Sequence, residues 1–250
     1  MIEIFILSMV QGITEFIPVS SSSHLIIITE YFNFNSQNLT IDLSLHVGSF
    51  FAVLVYFKND LLNFIDNKKL FLKIILASIP TMIVGFILVE YNLISQFRDP
   101  KVIGWTTLLF GILLFISDKS KTTNVIKNDL SYKSAMYIGI FQVLSLIPGV
   151  SRSGITMSAS RFLKFKRVES AKISFLLSIP TLAAITFFTI ISLYRNNNLN
   201  FSVLNLSAML LSFVISYLTI KYFFKYVNNF NLNIFVAYRI VIGVAILYFV

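Results

Sequence analysis

Long apolar segments separated by short polar connections dominate the chain. The apolar runs cover residues 40–57, 72–91, 102–117, 174–193, 201–222 and 234–250. Each run is close to the ~20 residues that an α-helix needs to cross the hydrocarbon core of a bilayer. The pattern predicts an all-α integral membrane protein with six transmembrane helices.

The composition agrees with a membrane protein. Of the 250 residues, 56% are hydrophobic and only 12% are charged, whereas soluble domains average about 25% charged residues. No residues are left over for a soluble domain, so residues 1–250 are predicted to form a single membrane domain. The apolar residues 1–10 contain no Lys or Arg, which is not typical of a signal peptide. Because the chain has no cysteine, disulfides and thiolate metal sites are excluded.

Lysine and arginine are distributed unevenly among the polar connections. Segments 58–73, 118–133, 161–172 and 221–233 together hold 15 of them, whereas segments 30–40, 92–101 and 194–200 hold three. Because cytoplasmic connections of membrane proteins are enriched in Lys and Arg, the first group is predicted to lie in the cytoplasm. This bias accounts for the net charge of +9, so no nucleic-acid partner is expected.

Two polar segments interrupt the apolar pattern and resemble each other. Residues 11–24 read QGITEFIPVSSSSH, and residues 142–156 read QVLSLIPGVSRSGIT. Aligned at Gln11 and Gln142, both contain Val-Ser-x-Ser eight residues later, with a proline just before. Polar and ionisable groups at membrane depth are costly and by default mark a functional site. Two related segments of this kind suggest two half-sites that meet.

The charge distribution also predicts how these segments enter the membrane. Residues 1–33 precede a span that starts outside, and residues 134–160 lie between two cytoplasmic connections. Each segment is therefore predicted to be a re-entrant helix hairpin, broken at its Pro and Ser residues, that returns to the side it entered from. Broken backbone at membrane depth must be buried or line a cavity, so the two hairpins should face each other. Their helix N-termini would then form a site for an anion.

The two halves of the chain have the same predicted order of elements. Residues 1–117 form the first repeat and residues 134–250 the second, each with one hairpin followed by three spans. The halves have opposite orientation, and such inverted repeats place a site at their interface. The sequence Ser-Ile-Pro-Thr, at 78–81 and again at 178–181, is a weaker sign of the same duplication.

The first hairpin contains groups suited to catalysis. Glu15 shares a helix face with Gln11. A catalytic or metal-binding role is favoured for Glu15, and the alternative is a buried carboxylate paired with Arg239 or a serine. One serine of the run 20–23 is expected to cap the following helix, while the others can bind phosphate oxygens or act as a nucleophile. His24 is a candidate base, acid or nucleophile.

The second hairpin contains Arg152, away from the connections that hold most of the basic residues. A guanidinium group can bind phosphate through two parallel hydrogen bonds. Ser151, Ser153 and Thr156 add hydroxyl donors beside it. The alternative is that Arg152 neutralises Glu15 as a structural ion pair.

Further ionisable groups lie in the predicted spans. Asp42 and His46 are four residues apart and share a helix face, which is consistent with support of the site or with packing. Arg239, beside Tyr238, either pairs with an acid or reaches the membrane interface by snorkelling, and no catalytic role is assigned to it.

An arginine, several hydroxyl groups, helix ends and an acid or base together suit phosphoryl transfer. A membrane-embedded site implies a phosphate carried by a lipid. A rival interpretation is a transporter or flippase of a phosphorylated lipid or small anion, since inverted repeats with hairpins are a transporter architecture. The acid-phosphatase-like lipid phosphatases are excluded, because no histidine follows Ser151-Arg152.

In these residues the chain resembles the bacitracin-resistance type of undecaprenyl-diphosphate phosphatase. The family is marked by an acidic residue or Gln, then Glu four residues later, then Pro-Val-Ser-Ser ending in His, and by Pro-Gly-x-Ser-Arg-Ser-x-x-Thr. The matching segments here are 11–15, 18–24 and 148–156. Gln11 stands where many members have Glu, which puts a metal site with two carboxylates in doubt. Ser23 stands where Gly is common.

The resemblance implies an activity and a location. The family removes the terminal phosphate of undecaprenyl diphosphate in the bacterial plasma membrane, with its site facing the outer side and a divalent cation, Mg²⁺ or Ca²⁺, as cofactor. The bilayer and the lipid are the implied partners, and the question whether the protein forms a homodimer stays open.

The resemblance also implies roles for individual residues. The catalytic residues would be Glu15, Ser21, His24 and Arg152, with Glu15 also a metal ligand. The residues that bind the substrate would be Gln11, Ser20, Ser22, Ser151, Ser153 and Thr156.

Overall fold

The computed structural model describes residues 1–32, 34, 38–63, 68–91, 93–195 and 202–249. The regular secondary structure of this part of the chain is helical apart from one isolated β-bridge between Asn124 and Phe165. The helices are α1 (Ile2–Thr14), α2 (Ser21–Phe32), α3 (Leu39–Tyr56), α4 (Lys58–Leu62), α5 (Lys68–Glu90), α6 (Pro100–Asp118), α7 (Ile126–Asp129), α8 (Tyr132–Val143), α9 (Arg152–Phe162), α10 (Arg167–Arg195), α11 (Val203–Asn229) and α12 (Asn233–Phe249). The predicted all-α class is confirmed.

The longest helices have the properties of membrane spans. Helices α3, α5, α6, α10 and α11 are long and apolar enough to cross a bilayer, and α12 is apolar but shorter, with 17 residues. Large apolar side chains remain exposed on their surfaces, as Ile83, Phe86 and Ile87 do on α5. Such surfaces suit contact with lipid, and the protein is a multi-pass membrane protein.

The helices overlap all six predicted runs, with two notable differences at their ends. Helix α10 begins at Arg167 rather than 174, because its first turn packs at the polar end of α6, where Arg167 Nε lies 2.8 Å from an Asp118 carboxylate oxygen. Helix α11 continues beyond residue 222 to Asn229, because Phe223 and Val227 are buried in the main core. The predicted connection 194–200 lies largely outside the described residues.

Each polar motif forms a helix, a break and a second helix, as predicted. The first hairpin consists of α1 and α2, joined by the first break at residues 15–20. The second hairpin consists of α8 and α9, joined by the second break at residues 144–151, which begins with a 3-10 turn at Leu144–Leu146.

The packing partners of the two hairpins correspond. Helix α1 packs against α11, and α8 packs against α5, while α3 packs against α10 and α6 against α12. The Ser-Ile-Pro-Thr segments do not correspond in this way. Residues 78–81 lie in α5, the second long helix after its hairpin, whereas 178–181 lie in α10, the first long helix after its hairpin. The use of this tetrapeptide as evidence for duplication was wrong.

Polar and small residues hold the helices together in the interior. The Ser49 hydroxyl lies 3.2 Å from that of Ser212 and 3.0 Å from that of Ser216, so α3 and α11 share hydrogen bonds. Gly139 lets α8 approach α5 closely, because a Cβ at this position would lie 2.2 Å from the Ala77 carbonyl oxygen. Small residues and hydroxyl groups are the usual means of helix association in membranes, where apolar burial gives little driving force.

Candidate active site

The two breaks contact each other directly. Ser153 Oγ in the second hairpin donates a hydrogen bond of 2.8 Å to the carbonyl oxygen of Ile17, and the Gly149 amide donates one of 3.3 Å to Ser20 Oγ. The motifs are more than a hundred residues apart in the chain. The prediction that they face each other is confirmed.

The backbone of each break is constrained at the same motif position. Ser20 has a φ of 77° and Ser151 a φ of 70°, and each is the first serine of its Val-Ser-x-Ser sequence. Residues other than glycine rarely adopt positive φ, and those that do often lie at functional sites. Ser151 also caps α9, because its Oγ accepts a 3.2 Å hydrogen bond from the Gly154 amide.

Glu15 is the centre of a cluster that joins the hairpins. Its Oε1 forms a 3.0 Å ion pair with Arg152 Nη2. Its Oε2 accepts hydrogen bonds from Ser21 Oγ at 2.7 Å and from Gln11 Nε2 at 3.1 Å. The side chains of Arg152 and Glu15 are 12% and 8% exposed, so the pair is largely withdrawn from solvent. The partner of Glu15 is therefore Arg152, together with Ser21, and not Arg239.

Arg152 is further anchored to α10. Its Nη1 donates to the Ser174 carbonyl oxygen at 3.0 Å, and Thr156 Oγ1, one turn along α9, donates to Ser174 Oγ at 2.8 Å. Phe16, next to Glu15, packs edge-on against Phe175, with their ring centroids 5.3 Å apart. Consecutive residues of α10 thus hold both members of the ion pair in place.

His24 has a partner that the sequence analysis did not assign. Its Nδ1 lies 2.6 Å from the Ser20 carbonyl oxygen, which can only accept, so Nδ1 carries the hydrogen. In the neutral ring Nε2 then accepts from the Tyr238 hydroxyl, 2.7 Å away. The two rings are stacked, with centroids 5.7 Å apart. The Ser20 carbonyl therefore fixes the tautomer of His24, and Tyr238 helps to hold the orientation of its ring.

The remaining predicted substrate-binding serines surround the same junction. Ser20 Oγ lies 3.1 Å from Ser23 Oγ and 3.3 Å from Ser22 Oγ. Ser22 is exposed, whereas Ser20 and Ser23 are buried. On the other hairpin, the hydroxyl groups of Ser151 and Ser153 lie 3.2 Å apart. The structure thus collects hydroxyl groups from both motifs around the helix N-termini of α2 and α9.

Arg239 is placed differently from either expectation. It is fully buried, so it does not snorkel, and its guanidinium donates to backbone carbonyl groups of both breaks. In the described part of the chain it forms no ion pair with an acid. The sequence singles out Arg239 and Tyr238 as ionisable residues in an apolar span, but it does not indicate which groups they contact. His46 Nδ1 bonds the Asp42 carbonyl oxygen in its own helix at 2.8 Å, and a supporting role for Asp42 and His46 stays a prediction.

The site has few groups that could hold a metal ion. Among the described residues no cluster of three or more His, Cys, Asp or Glu side chains is present. Glu15 is nevertheless accompanied by Gln11, whose Oε1 is buried and has no hydrogen-bond partner in the described part of the chain. Mg²⁺ is commonly held by one or two carboxylates together with substrate phosphates and water. The donors at Glu15 and Gln11 fit a cation bound mainly through a phosphate ligand.

The chain is similar to known proteins over nearly its whole length. The sequence profile of the family described as bacitracin resistance protein BacA matches residues 4–245. A protein of Pelagibacter ubique named undecaprenyl-diphosphatase is 47% identical over 245 residues, covering 97% of this chain and 95% of that protein. Proteins of the same name from Campylobacter curvus and Alteromonas mediterranea are each 37% identical, over 99% of this chain and 98% of theirs.

Proposed function

The chain belongs to the family of the bacitracin resistance protein BacA, and from this premise we propose that it hydrolyses undecaprenyl diphosphate. The products are undecaprenyl phosphate and inorganic phosphate, so the reaction recycles the lipid carrier of peptidoglycan and other envelope polymers and confers resistance to bacitracin. The observation that carries the proposal is the Glu15–Arg152 ion pair at the junction of the breaks, with Ser21 bonded to its carboxylate.

Binding of the diphosphate is assigned to the groups around the junction. Arg152 offers a planar guanidinium for phosphate oxygens. The hydroxyl groups of Ser20, Ser22, Ser151, Ser153 and Thr156 and the amide of Gln11 are assigned to its remaining oxygens. The N-termini of α2 and α9 add backbone amide groups and the positive ends of their dipoles. Charge stabilisation of this kind is usually the largest contribution to catalysis.

Ser21 is the hydroxyl group best placed to attack. Its Oγ–H already donates to Glu15, the arrangement expected of a nucleophile and its base. Ser21 Oγ forms a bond to the terminal phosphorus, the bond from phosphorus to the bridging oxygen breaks, and the Ser21 proton passes to Glu15. Undecaprenyl phosphate leaves. Water gives a proton to His24 and attacks the phosphorus of the phosphoserine, the bond from phosphorus to Ser21 Oγ breaks, inorganic phosphate is released, and Glu15 returns its proton to Ser21. Direct attack by His24 or by water that it activates is the alternative.

A divalent cation, Mg²⁺ or Ca²⁺, belongs to the same proposal. Glu15 and the unpartnered Oε1 of Gln11 are the oxygens assigned to it. When bound, the cation would neutralise part of the diphosphate charge. Gln11 supplies a neutral oxygen where a second Glu would supply a charged one, so weaker binding of the cation by the free protein is expected.

The proposed membrane arrangement has six spans and two re-entrant hairpins in an inverted repeat of residues 1–117 and 134–250. It is supported by the matching breaks and by the corresponding packing of α1 with α11 and α8 with α5. We place the protein in the bacterial inner membrane, with the site open to the outer side, as the resemblance to the family implies. The charge distribution among the connections supports the orientation of the helices.

The test is phosphate release from undecaprenyl diphosphate by detergent-purified protein, with and without EDTA. Wild-type release should be lost with EDTA. The variants Glu15→Ala and Arg152→Ala should each lose at least about 100-fold in kcat/KM, which corresponds to about 2.7 kcal/mol of transition-state stabilisation.

The double variant Glu15→Ala with Arg152→Ala distinguishes a catalytic role of these two residues from a purely structural one. Removing one partner of a buried pair leaves an uncompensated charge, so a purely structural pair would make each single variant less stable than the double variant. We expect the double variant to recover melting temperature but not activity. Recovery of activity would contradict a catalytic role, and no release by folded wild-type protein would favour the transporter interpretation.

A further inference from the structure

Arg239 is a buried cation whose hydrogen bonds all go to backbone carbonyl groups. It has 0% of its surface exposed. The acceptors lie in the first break, in the second break and in α6, and they are Pro18 at 3.2 Å, Gly149 at 2.7 Å, Val150 at 3.2 Å, Thr106 at 3.5 Å and Thr107 at 3.2 Å. One side chain from α12 therefore contacts both halves of the candidate site.

Three of these carbonyl groups need a donor because they lie where the helices are interrupted. Pro18, Gly149 and Val150 belong to the breaks, and an unsatisfied carbonyl at membrane depth costs several kcal/mol. The guanidinium presents five N–H groups in a rigid planar fork, whereas a lysine presents three donors at one point. Only an arginine can span this set of acceptors from a single position.

The second break is closely fitted around this arginine. Gly149 has a φ of 93°, and a Cβ there would lie 1.9 Å from Thr106 Oγ1. Gly154, in the first turn of α9, lies within van der Waals reach of the arginine, since a Cβ there would be 3.4 Å from Arg239 Nη1. The guanidinium thus lies directly behind the N-terminus of α9, which starts at Arg152.

The charge of Arg239 is not cancelled by an acid within the described residues, where each of the ion pairs involves a different base. Carbonyl dipoles solvate the cation but leave its net charge in place. In surroundings of low dielectric constant this charge raises the positive potential at the junction of the breaks. A diphosphate bound there would gain from it.

We propose that Arg239 is a positioning residue that sets the register of the two hairpins, so that Ser21 and Arg152 meet the same diphosphate. The proposal rests on the proposed phosphatase function and on its site, and it adds α12 to the groups that build that site. Arg239 acts through the backbone of the breaks and does not itself contact the reacting atoms.

The kinetic test uses Arg239→Lys, which keeps the charge but not the fork, and Arg239→Met, which keeps neither. A misplacement of about 1 Å in a catalytic site can reduce the rate about 100-fold. We expect Arg239→Lys to lower kcat by about that factor while KM changes less than about threefold. Arg239→Met should raise KM as well, because the positive potential is lost.

Arg161→Lys is the matched control. Arg161 is also buried and also donates to carbonyl groups, those of Phe165, Asp118 and Ser120, but it lies at the far end of α9. This variant should lower the melting temperature and leave kcat per folded molecule unchanged. If Arg239→Lys behaves in the same way, its role is structural only and the proposal is overturned.

A distance measurement reports the relative position of the two hairpins independently of enzymatic activity. The chain has no cysteine, so spin labels at Ile13→Cys and Leu144→Cys, both partly exposed, mark one position just before the first break and one at the start of the second. The distance distribution should be narrow with Arg239 present and should shift or broaden in Arg239→Lys. An unchanged distribution together with wild-type kcat would overturn the inference. If Glu15→Ala and Arg152→Ala were also fully active, the proposed site itself would fail.

Discussion

Glu15 divides its two carboxylate oxygens between the hairpins. One oxygen pairs with Arg152 of the second hairpin, and the other accepts from Ser21 and Gln11 of the first. Gln11 matters here because its amide can donate, whereas a glutamate at the same position would place a second negative charge beside Glu15 and oppose its ionisation. The carboxylate of Glu15 is therefore held by donors from both hairpins.

At the scale of single residues, the variant Tyr238→Phe tests whether Tyr238 holds the ring of His24 in place. The variant removes the donor to Nε2 and leaves the Ser20 carbonyl bond in place. A hydrogen bond is worth about 1 kcal/mol, so we expect kcat/KM to fall roughly tenfold or less. Nε2 also becomes free, so diethylpyrocarbonate should modify His24 several-fold faster.

Two further variants make this measurement specific. His46→Gln removes the other histidine of the chain, so that all modification is at His24. Tyr137→Phe, on α8, is the matched tyrosine control and should leave the rate unchanged. Equal modification rates in the Tyr238→Phe and parent proteins would show that Tyr238 does not hold Nε2.

At the scale of elements, the two hairpins share a backbone design but differ in chemistry. Both breaks contain a serine with positive φ at the same motif position. The residue four after the leading glutamine is Glu15 in the first motif and Leu146 in the second. The first hairpin therefore supplies the carboxylate and the second supplies the cation, so neither forms the site alone.

Because the backbone at Ser151 is strained, we expect an unusual order of melting temperatures among variants at this position. Positive φ costs an alanine about 1–2 kcal/mol more than a glycine, so Ser151→Gly should melt at a higher temperature than Ser151→Ala. Ser153 is the control, because it lies within the helix α9 and there Ala should be at least as stable as Gly. The same order at both positions would contradict the strain argument.

At the scale of the whole molecule, the charge distribution predicts which ends of the helices face the cytoplasm. Single cysteines at the exposed positions Arg98→Cys and Lys121→Cys can be labelled with a maleimide that does not cross membranes. In intact spheroplasts we expect labelling of Arg98→Cys, and labelling of Lys121→Cys only after permeabilisation. The parent protein has no cysteine and is the blank. The reverse pattern would invert the proposed topology and place the site on the other side.

The positions of the helices along the chain follow closely from the sequence, because lipid requires apolar surfaces and an internally hydrogen-bonded backbone over a defined length. The six apolar runs and both breaks are visible for that reason. Short helices within polar connections, such as α4 and α7, were not predicted, since no membrane constraint acts on them. The end of α11 was also not predicted. Phe223 and Val227 are buried by residues from other helices, and the hydrophobic pattern of the sequence does not show which helices are neighbours.

The sequence by itself determined the class of the protein, the two motifs and the residue types available for phosphate chemistry, because charged and hydroxyl groups in apolar segments are costly enough to be informative. Only the tertiary structure decided which of these groups are partners. It paired Glu15 with Arg152 and His24 with Tyr238, and it placed Arg239 between the breaks. These contacts join residues far apart in the chain, and they depend on how the helices pack, which local patterns of hydrophobic and polar residues do not specify.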